Sequence, residues 1–301
     1  MKKAVSNTLV VLISISAFSQ ELIDKIPLQL VDNLIFIQLH VNTKKEPLNF
    51  MFDSGAGVTA IDEKVSNELK LDISGRTKIG TSGQTLETKE SSLNKLKVSD
   101  NLTIDSLSLY IMDLSHISEF LKMKVDGIIG FDLLNQVIVE TNISELEMRF
   151  FDTANYRYHG NANASKLIML ESNHFGLPIE IKPKSNSNPL LLIVKIDKGA
   201  PNYLTFHNDA INKHGLMNPQ NRYKIRKGFG ADSTMTSNLK AKIASAKFAS
   251  KQWKNVPVIF EVDSLNQSSK RKADGLIGQE MLLDFNITYH LNDQVLYLEK
   301  R

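Results

Sequence analysis

Two short stretches carry residues whose types and spacing could do chemistry. Asp53-Ser54-Gly55-Ala56 follows the strand-like run Leu48–Phe52, and Asp197-Lys198-Gly199-Ala200 follows the apolar run Leu190–Val194 through Lys195 and Ile196. A second motif repeats behind each. Val125-Asp126-Gly127-Ile128-Ile129-Gly130 is answered by Ala273-Asp274-Gly275-Leu276-Ile277-Gly278. The interval from first acid to second is 126 − 53 = 73 residues in one half and 274 − 197 = 77 in the other. A chain written twice, with one Asp after an apolar strand in each copy, points to two similar lobes about a pseudo-two-fold axis. Asp53 and Asp197 would then meet. Two carboxylates a few Å apart do not both ionise cheaply, so they share one proton. One then acts as base on a water and the other as acid on a carbonyl oxygen.

The elements needed to hold such a pair are legible in outline. Each half opens with two strands, Leu34–Val41 with Leu48–Phe52 and Leu177–Ile181 with Leu190–Ile196. A short helical piece is expected next, over Ala60–Leu69 and Leu204–His214, then a glycine-containing turn and further alternating strands. Each half closes with an alternating run, Glu145–Phe151 and Asn292–Glu299. Short strands punctuated by Gly and Asn/Asp argue for mostly β structure. The polar stretch Thr153–Ser165 reads as a connector between the halves.

At these residues the sequence resembles the aspartic peptidases, specifically the bacterial retropepsin-like and pepsin-like families. The resemblance runs from about Ile26 to Leu298. It implies a mostly β, bilobal acid-protease fold, with two β-barrel-like lobes and a cleft between them. It also implies an aspartic-type endopeptidase acting on a peptide or protein substrate, with Asp53 and Asp197 catalytic and no cofactor. Asp53-Ser54-Gly55-Ala56 fits the family's Asp-Thr/Ser-Gly-Ala/Ser loop fully, and Asp197-Lys198-Gly199-Ala200 fits at three of four positions. Ser54, Gly55, Lys198 and Gly199 would support the pair. Gly55 and Gly199 are expected to permit positive φ and close approach of the opposite loop. Gly80, Thr81, Ser82 and Gly83 are the flap candidate. Gly228-Phe229-Gly230 is its counterpart, with an ordinary hairpin turn as the other reading. The apolar-apolar-Gly elements would pack beneath the catalytic loops, and Asp126 and Asp274 would hold turns or loops. Asp132 and Glu280 read as helix-start acids.

Lys198 departs from the pattern, standing where the family has a hydroxyl. An ammonium accepts no hydrogen bond, so the mutual hydroxyl grip between the loops would be at most half present. If Lys198 points away, the pair survives with a looser loop. If it lies within about 4–6 Å of the carboxylates, it favours their doubly ionised form and weakens catalysis. A catalytically impaired peptide-binding module of the same fold is the alternative.

Composition bounds the rest. The 301 residues are 42% hydrophobic and 23% charged, a globular balance that excludes wholesale disorder. With no cysteine, disulfides, cysteine nucleophiles and thiolate metal sites are excluded. The histidines show neither a His-x-x-x-His pair nor a His-Glu-x-x-His motif, so no metal is expected. Residues 1–19, with Lys2, Lys3 and the apolar run Thr8–Phe18, read as a signal peptide cut near Ser19. The product would be exported, periplasmic or secreted, with no membrane insertion and nearly no pro-segment. The lobes are placed at 20–159 and 160–301. The first carries 14 basic and 21 acidic residues and the second 20 and 12, or −7 and +8. The second half's basic residues are interspersed along alternating strands, which argues for a solvated face and against nucleic acid. A monomer is expected, since one chain supplies both acids.

Overall fold

The computed structural model describes residues 22–81, 85–154, 156–218, 222–230, 232–262 and 273–301. Residues 1–19, Ser82 and Gly83 lie outside that set. The first half runs β1 (Leu22–Pro27), β2 (Gln29–Val31), β3 (Leu34–Val41), β4 (Leu48–Phe52), β5 (Thr59–Asp62), α1 (Glu63–Glu68), β6 (Gly75–Gly80) and β7 (Thr85–Lys97). It continues with β8 (Thr103–Met112), α2 (Ser115–Leu121), β9 (Gly127–Ile129), α3 (Phe131–Leu134), β10 (Ile138–Asn142) and β11 (Glu147–Phe151). The second half runs β12 (Asn163–Lys166), β13 (Ile168–Met169), β14 (Phe175–Lys182), β15 (Leu190–Asp197), β16 (Leu204–Phe206), α4 (Asn208–His214) and β17 (Lys224–Phe229). It ends with β18 (Met235–Phe248), β19 (Lys251–Phe260), β20 (Gly275–Gly278), α5 (Gln279–Leu282), β21 (Phe285–His290) and β22 (Val295–Lys300).

The repeat seen in the sequence is a repeat of topology. One eight-stranded sheet has the order β2-β3-β4-β9-β5-β8-β7-β6, and the other β13-β14-β15-β20-β16-β19-β18-β17. Strand for strand the two orders are the same. In each, the strand before the acidic loop runs parallel to the later apolar strand: β4 with β9, and β15 with β20. A parallel pair needs a crossover connection, and the intervening hairpin strands supply it. The chain therefore has the bilobal acid-protease fold.

A six-stranded sheet, β1-β11-β10-β21-β22-β12, joins the lobes. Its centre is the antiparallel pair β10–β21, where Glu140 faces Thr288, and the order is symmetric about that line. The two closing runs of the sequence, β11 and β22, both lie in it. Its side chains join a continuous apolar core that runs through both lobes, from Phe50 and Phe52 through Phe150 to Phe175, Phe206 and Phe285. A smaller cluster lies on the other face of β4, where Met51, Phe36 and Ile128 pack with Ile117 and Leu121 of α2.

Three sequence expectations need correction. Ala60–Leu69 is not one helix. Ala60 and Ile61 are buried in β5, and the helix begins only after Asp62, whose carboxylate accepts from Lys64 N at 3.0 Å. An N-cap of this kind satisfies a donor that the helix start leaves free. Likewise Leu204–Phe206 is buried strand, and α4 starts at Asn208. The connector read over Thr153–Ser165 ends inside β12, which pairs with β22 from Asn163↔Leu298 to Lys166↔Val295. In all three, pairing within a sheet overrides local propensity.

Candidate active site

The acidic loops are anchored by the parallel pairs beneath them. Asp53 N donates to Ile129 O at 2.9 Å, which extends the β4–β9 ladder to the acid. In the second lobe Asp197 is the last residue of β15, opposite Gly278. The Asp-Gly acids latch the strands that lead to these loops. Asp126 Oδ2 accepts from Asn49 N at 2.8 Å, and Asp274 Oδ2 accepts from Ile193 N at 2.9 Å. Their role is loop-holding, as the turn chemistry of Asp suggests. Asp132 and Glu280 do lie in first helical turns.

At the lobe junction the structure brings Asp53, Ser54, Gly55, Asp197, Lys198 and Gly199 together. A Cβ on Gly55 would stand 2.5 Å from Asp197 Cγ, and one on Gly199 would stand 2.4 Å from Asp53 Cγ. Each glycine thus lies against the other lobe's carboxyl group. Neither adopts the positive φ expected of it; among the described glycines only Gly215 does. What demands glycine here is close approach, not backbone conformation. Gly199→Ala is expected to lower stability by about 1–3 kcal/mol through overpacking. The urea midpoint checks this, and an unchanged midpoint would contradict the contact.

The two carboxyl groups are held differently. Asp53 Oδ1 accepts from Gly55 N at 2.7 Å and from Gly199 N at 2.9 Å, one donor from each lobe. Asp197 Oδ2 lies 2.9 Å from Lys195 Nζ. Burial, and then the charge of Asp197, raise the Asp53 pKa to about 7, against the opposing pull of Lys195 and the two N–H donors. Both causes disfavour a second negative charge in a site removed from water.

Ser54 forms one half of the inter-loop grip. Its buried hydroxyl donates to Ile196 O at 3.3 Å and accepts from Lys198 N at 3.1 Å. Lys198 contributes only that backbone N–H. Its side chain is fully buried, its Nζ has no hydrogen-bond partner among the described residues, and the charge of Arg301 acts on it. Beneath Ser54 lies Tyr289 of β21, fully buried, with its ring edge-on to Phe52 at 6.1 Å and to Phe175 at 6.0 Å. Its hydroxyl faces Ser54 and Asp53, and burial raises its pKa.

Sequence reasoning missed Lys195, His174 and Tyr289. Lys195 was legible, because residues i and i+2 of a strand share a face. His174 lies in the loop before β14, with its ring against the Gly55 backbone; burial and the Lys195 charge push its pKa down to about 4. Its neighbour Asn173 donates from Nδ2 to Gly57 O at 3.0 Å. Nothing local marks these contacts, which join lobes more than a hundred residues apart.

The hairpin β6–β7 meets the hairpin β17–β18. Gly80 ends β6, and the Thr81 hydroxyl donates to Asp232 Oδ2, just before β18. His116 Nε2 lies 3.1 Å from Gly230 O. Gly228-Phe229-Gly230 thus occupies the place in the second lobe that Gly80-Thr81 occupies in the first.

A family model for aspartyl proteases matches residues 37–133, the stretch that holds Asp53 and Ile128-Ile129-Gly130. Among solved structures the chain is similar to an aspartic proteinase from Irpex lacteus, with a TM-score of 0.55 and 14% identity over 92% of this chain and 97% of that one. Among curated proteins none matches. The family match covers the first acidic loop and its apolar-apolar-Gly partner, and the structural likeness shows the fold, that of an aspartic proteinase.

Proposed function

We propose that the chain is an exported aspartic endopeptidase in which Asp53 and Asp197 jointly activate water. The observation that carries this reading is the reciprocal packing of Gly55 on Asp197 and Gly199 on Asp53, which makes one buried acid pair from two lobes. An extended peptide lies across the cleft beneath the hairpin that contains Gly80 and Thr81. With one proton on the pair, the ionised carboxyl takes a proton from water as its oxygen attacks the peptide carbonyl carbon. The protonated carboxyl gives its proton to the carbonyl oxygen. Collapse of the tetrahedral intermediate breaks the C–N bond. The leaving nitrogen takes the first carboxyl's proton, and a hydroxyl of the intermediate returns one to the second. No acyl-enzyme forms.

Ser54, Gly55 and Gly199 position the pair, and Lys198 does so through its N–H alone. Among the described residues Lys198 Nζ makes no hydrogen bond to either carboxyl group, which favours cleavage over the binding-only alternative. Export rests on the reading of residues 1–19 as a signal peptide. Among the described residues no helix is long and apolar enough to cross a membrane. Since one chain supplies both acids, the active form is a monomer.

The test is hydrolysis of unstructured peptide libraries by residues 20–301, with products read by mass spectrometry and Asp53→Asn as control. Cleavage that vanishes in the variant supports the reading; a folded chain that binds peptides and never cuts them supports the alternative. The pH dependence has a definite sign. A carboxyl whose pKa is raised keeps its proton below that value and loses it above. Activity should therefore fall as pH rises through about 7, approaching tenfold per pH unit beyond it. A kcat/KM profile still rising at pH 9 would contradict the shared proton.

A further inference from the structure

We infer that Lys195 is a positioning residue that breaks the symmetry of the acid pair: its ammonium holds Asp197 as the carboxylate, so Asp197 takes the proton from water and Asp53 supplies the one given to the carbonyl oxygen. The inference rests on the peptidase reading for its chemistry, but not for its geometry.

The two lobes are alike in strand order and in the parallel pairing beneath each acid. They differ two residues upstream of it. On β15, Lys195 shares a strand face with Asp197, and its Nζ lies 2.9 Å from Oδ2. On β4 the corresponding residue is Met51, which is buried with Phe36 and Ile128 in the apolar cluster under α2. A cation therefore stands at one carboxyl and a thioether at the matching place in the other lobe. The N–H groups of Gly55 and Gly199 both donate to Asp53 Oδ1 and favour its ionised form, so the pull of Lys195 on Asp197 has to outweigh them. An opposite charge at this distance favours the ionised form of the group it touches.

Opposite Lys195, β14 presents Gly176 and β20 presents Leu276, neither of them charged. From the loop before β14 comes His174, which burial and Lys195 itself keep neutral above about pH 4. From the other lobe comes Asp53, whose retention of the proton Lys195 partly opposes. The titratable groups that interact with Lys195 include Asp197, Asp53 and His174.

The consequence is a pair with fixed roles that ionises at lower pH than its burial alone would allow. Lys195→Met places the first lobe's residue in the second. Aspartate carboxyl carbons labelled with 13C in residues 20–301 report the pair by NMR without turnover, and Asp53→Asn and Asp197→Asn identify its signals. In the wild type the last proton should reside on Asp53. In Lys195→Met both ionisation steps of the pair should move up by at least one pH unit, and Lys195→Arg should return them. In assays, the ratio of kcat/KM at pH 4 to that at pH 7 should fall at least tenfold in the Met variant and recover in the Arg variant. Should the Met variant not fold, Lys195→Gln is read the same way. Steps that stay in place, or a last proton on Asp197, would overturn the inference. A chain that cleaves nothing yet shows the expected titration would refute the peptidase reading and leave the role of Lys195 standing.

Discussion

Replacing Lys198 by methionine is expected to stabilise the chain, and more so in acid than in alkali. The side chain is fully buried and its Nζ makes no hydrogen bond among the described residues. Burial and the charge of Arg301 push its pKa from 10.5 down to about 7. A base whose folded pKa is depressed binds its proton more tightly when unfolded. The penalty is complete below about pH 7. It shrinks as pH rises toward 10.5 and is absent above that value. At about 1.4 kcal/mol per pH unit it amounts to roughly 5 kcal/mol. Methionine fills most of the same volume without a charge to desolvate. Urea unfolding at pH 6 and pH 10 should show a gain of about 3–5 kcal/mol at the lower pH and a much smaller one at the higher. A loss of stability, or a gain equal at both, would contradict a buried, unpartnered ammonium.

The same bookkeeping applied to Asp53 has the opposite sign. A carboxyl with a raised pKa costs stability above that pKa, and the cost disappears as the group protonates. Asp53 therefore weighs on the fold at neutral and alkaline pH, and Lys198 weighs on it in acid. The Asp53 cost is inseparable from a shared proton. The Lys198 cost serves no contact to the carboxyl groups, since the grip between loops uses its N–H alone.

Much of this was legible in the residues. Asp53 and Asp197 were readable as partners because the same four-residue loop, followed at near-equal distance by Asp-Gly-apolar-apolar-Gly, occurs twice. Strand periodicity placed β3 and β4 to the residue, since Leu34–Val41 and Leu48–Phe52 are apolar runs bounded by turn residues. The ends of β5 and β16 were not legible. Ala60 and Ile61 suit helix or strand equally, and only their place beside β8 and β9 decides. The shared sheet was half visible as two closing runs, but nothing local says that β10 pairs with β21. Lys195 was visible to alternation, two residues before Asp197 on one strand face. Tyr289 and His174 reach the acids through contacts that only the assembled lobes create.

The central claim is that two carboxyl groups from two lobes act as one unit, and Asp53→Asn, Asp197→Asn and the double variant test it most directly. Groups that act together are strongly non-additive when removed. Each single variant should lower kcat/KM for peptide hydrolysis by at least about 10³-fold, within the reach of lost acid–base catalysis and lost positioning. The double variant should be no slower than the slower single. If either single variant keeps substantial activity, or if the double loss is the product of the two, the carboxyl groups work separately and the account fails.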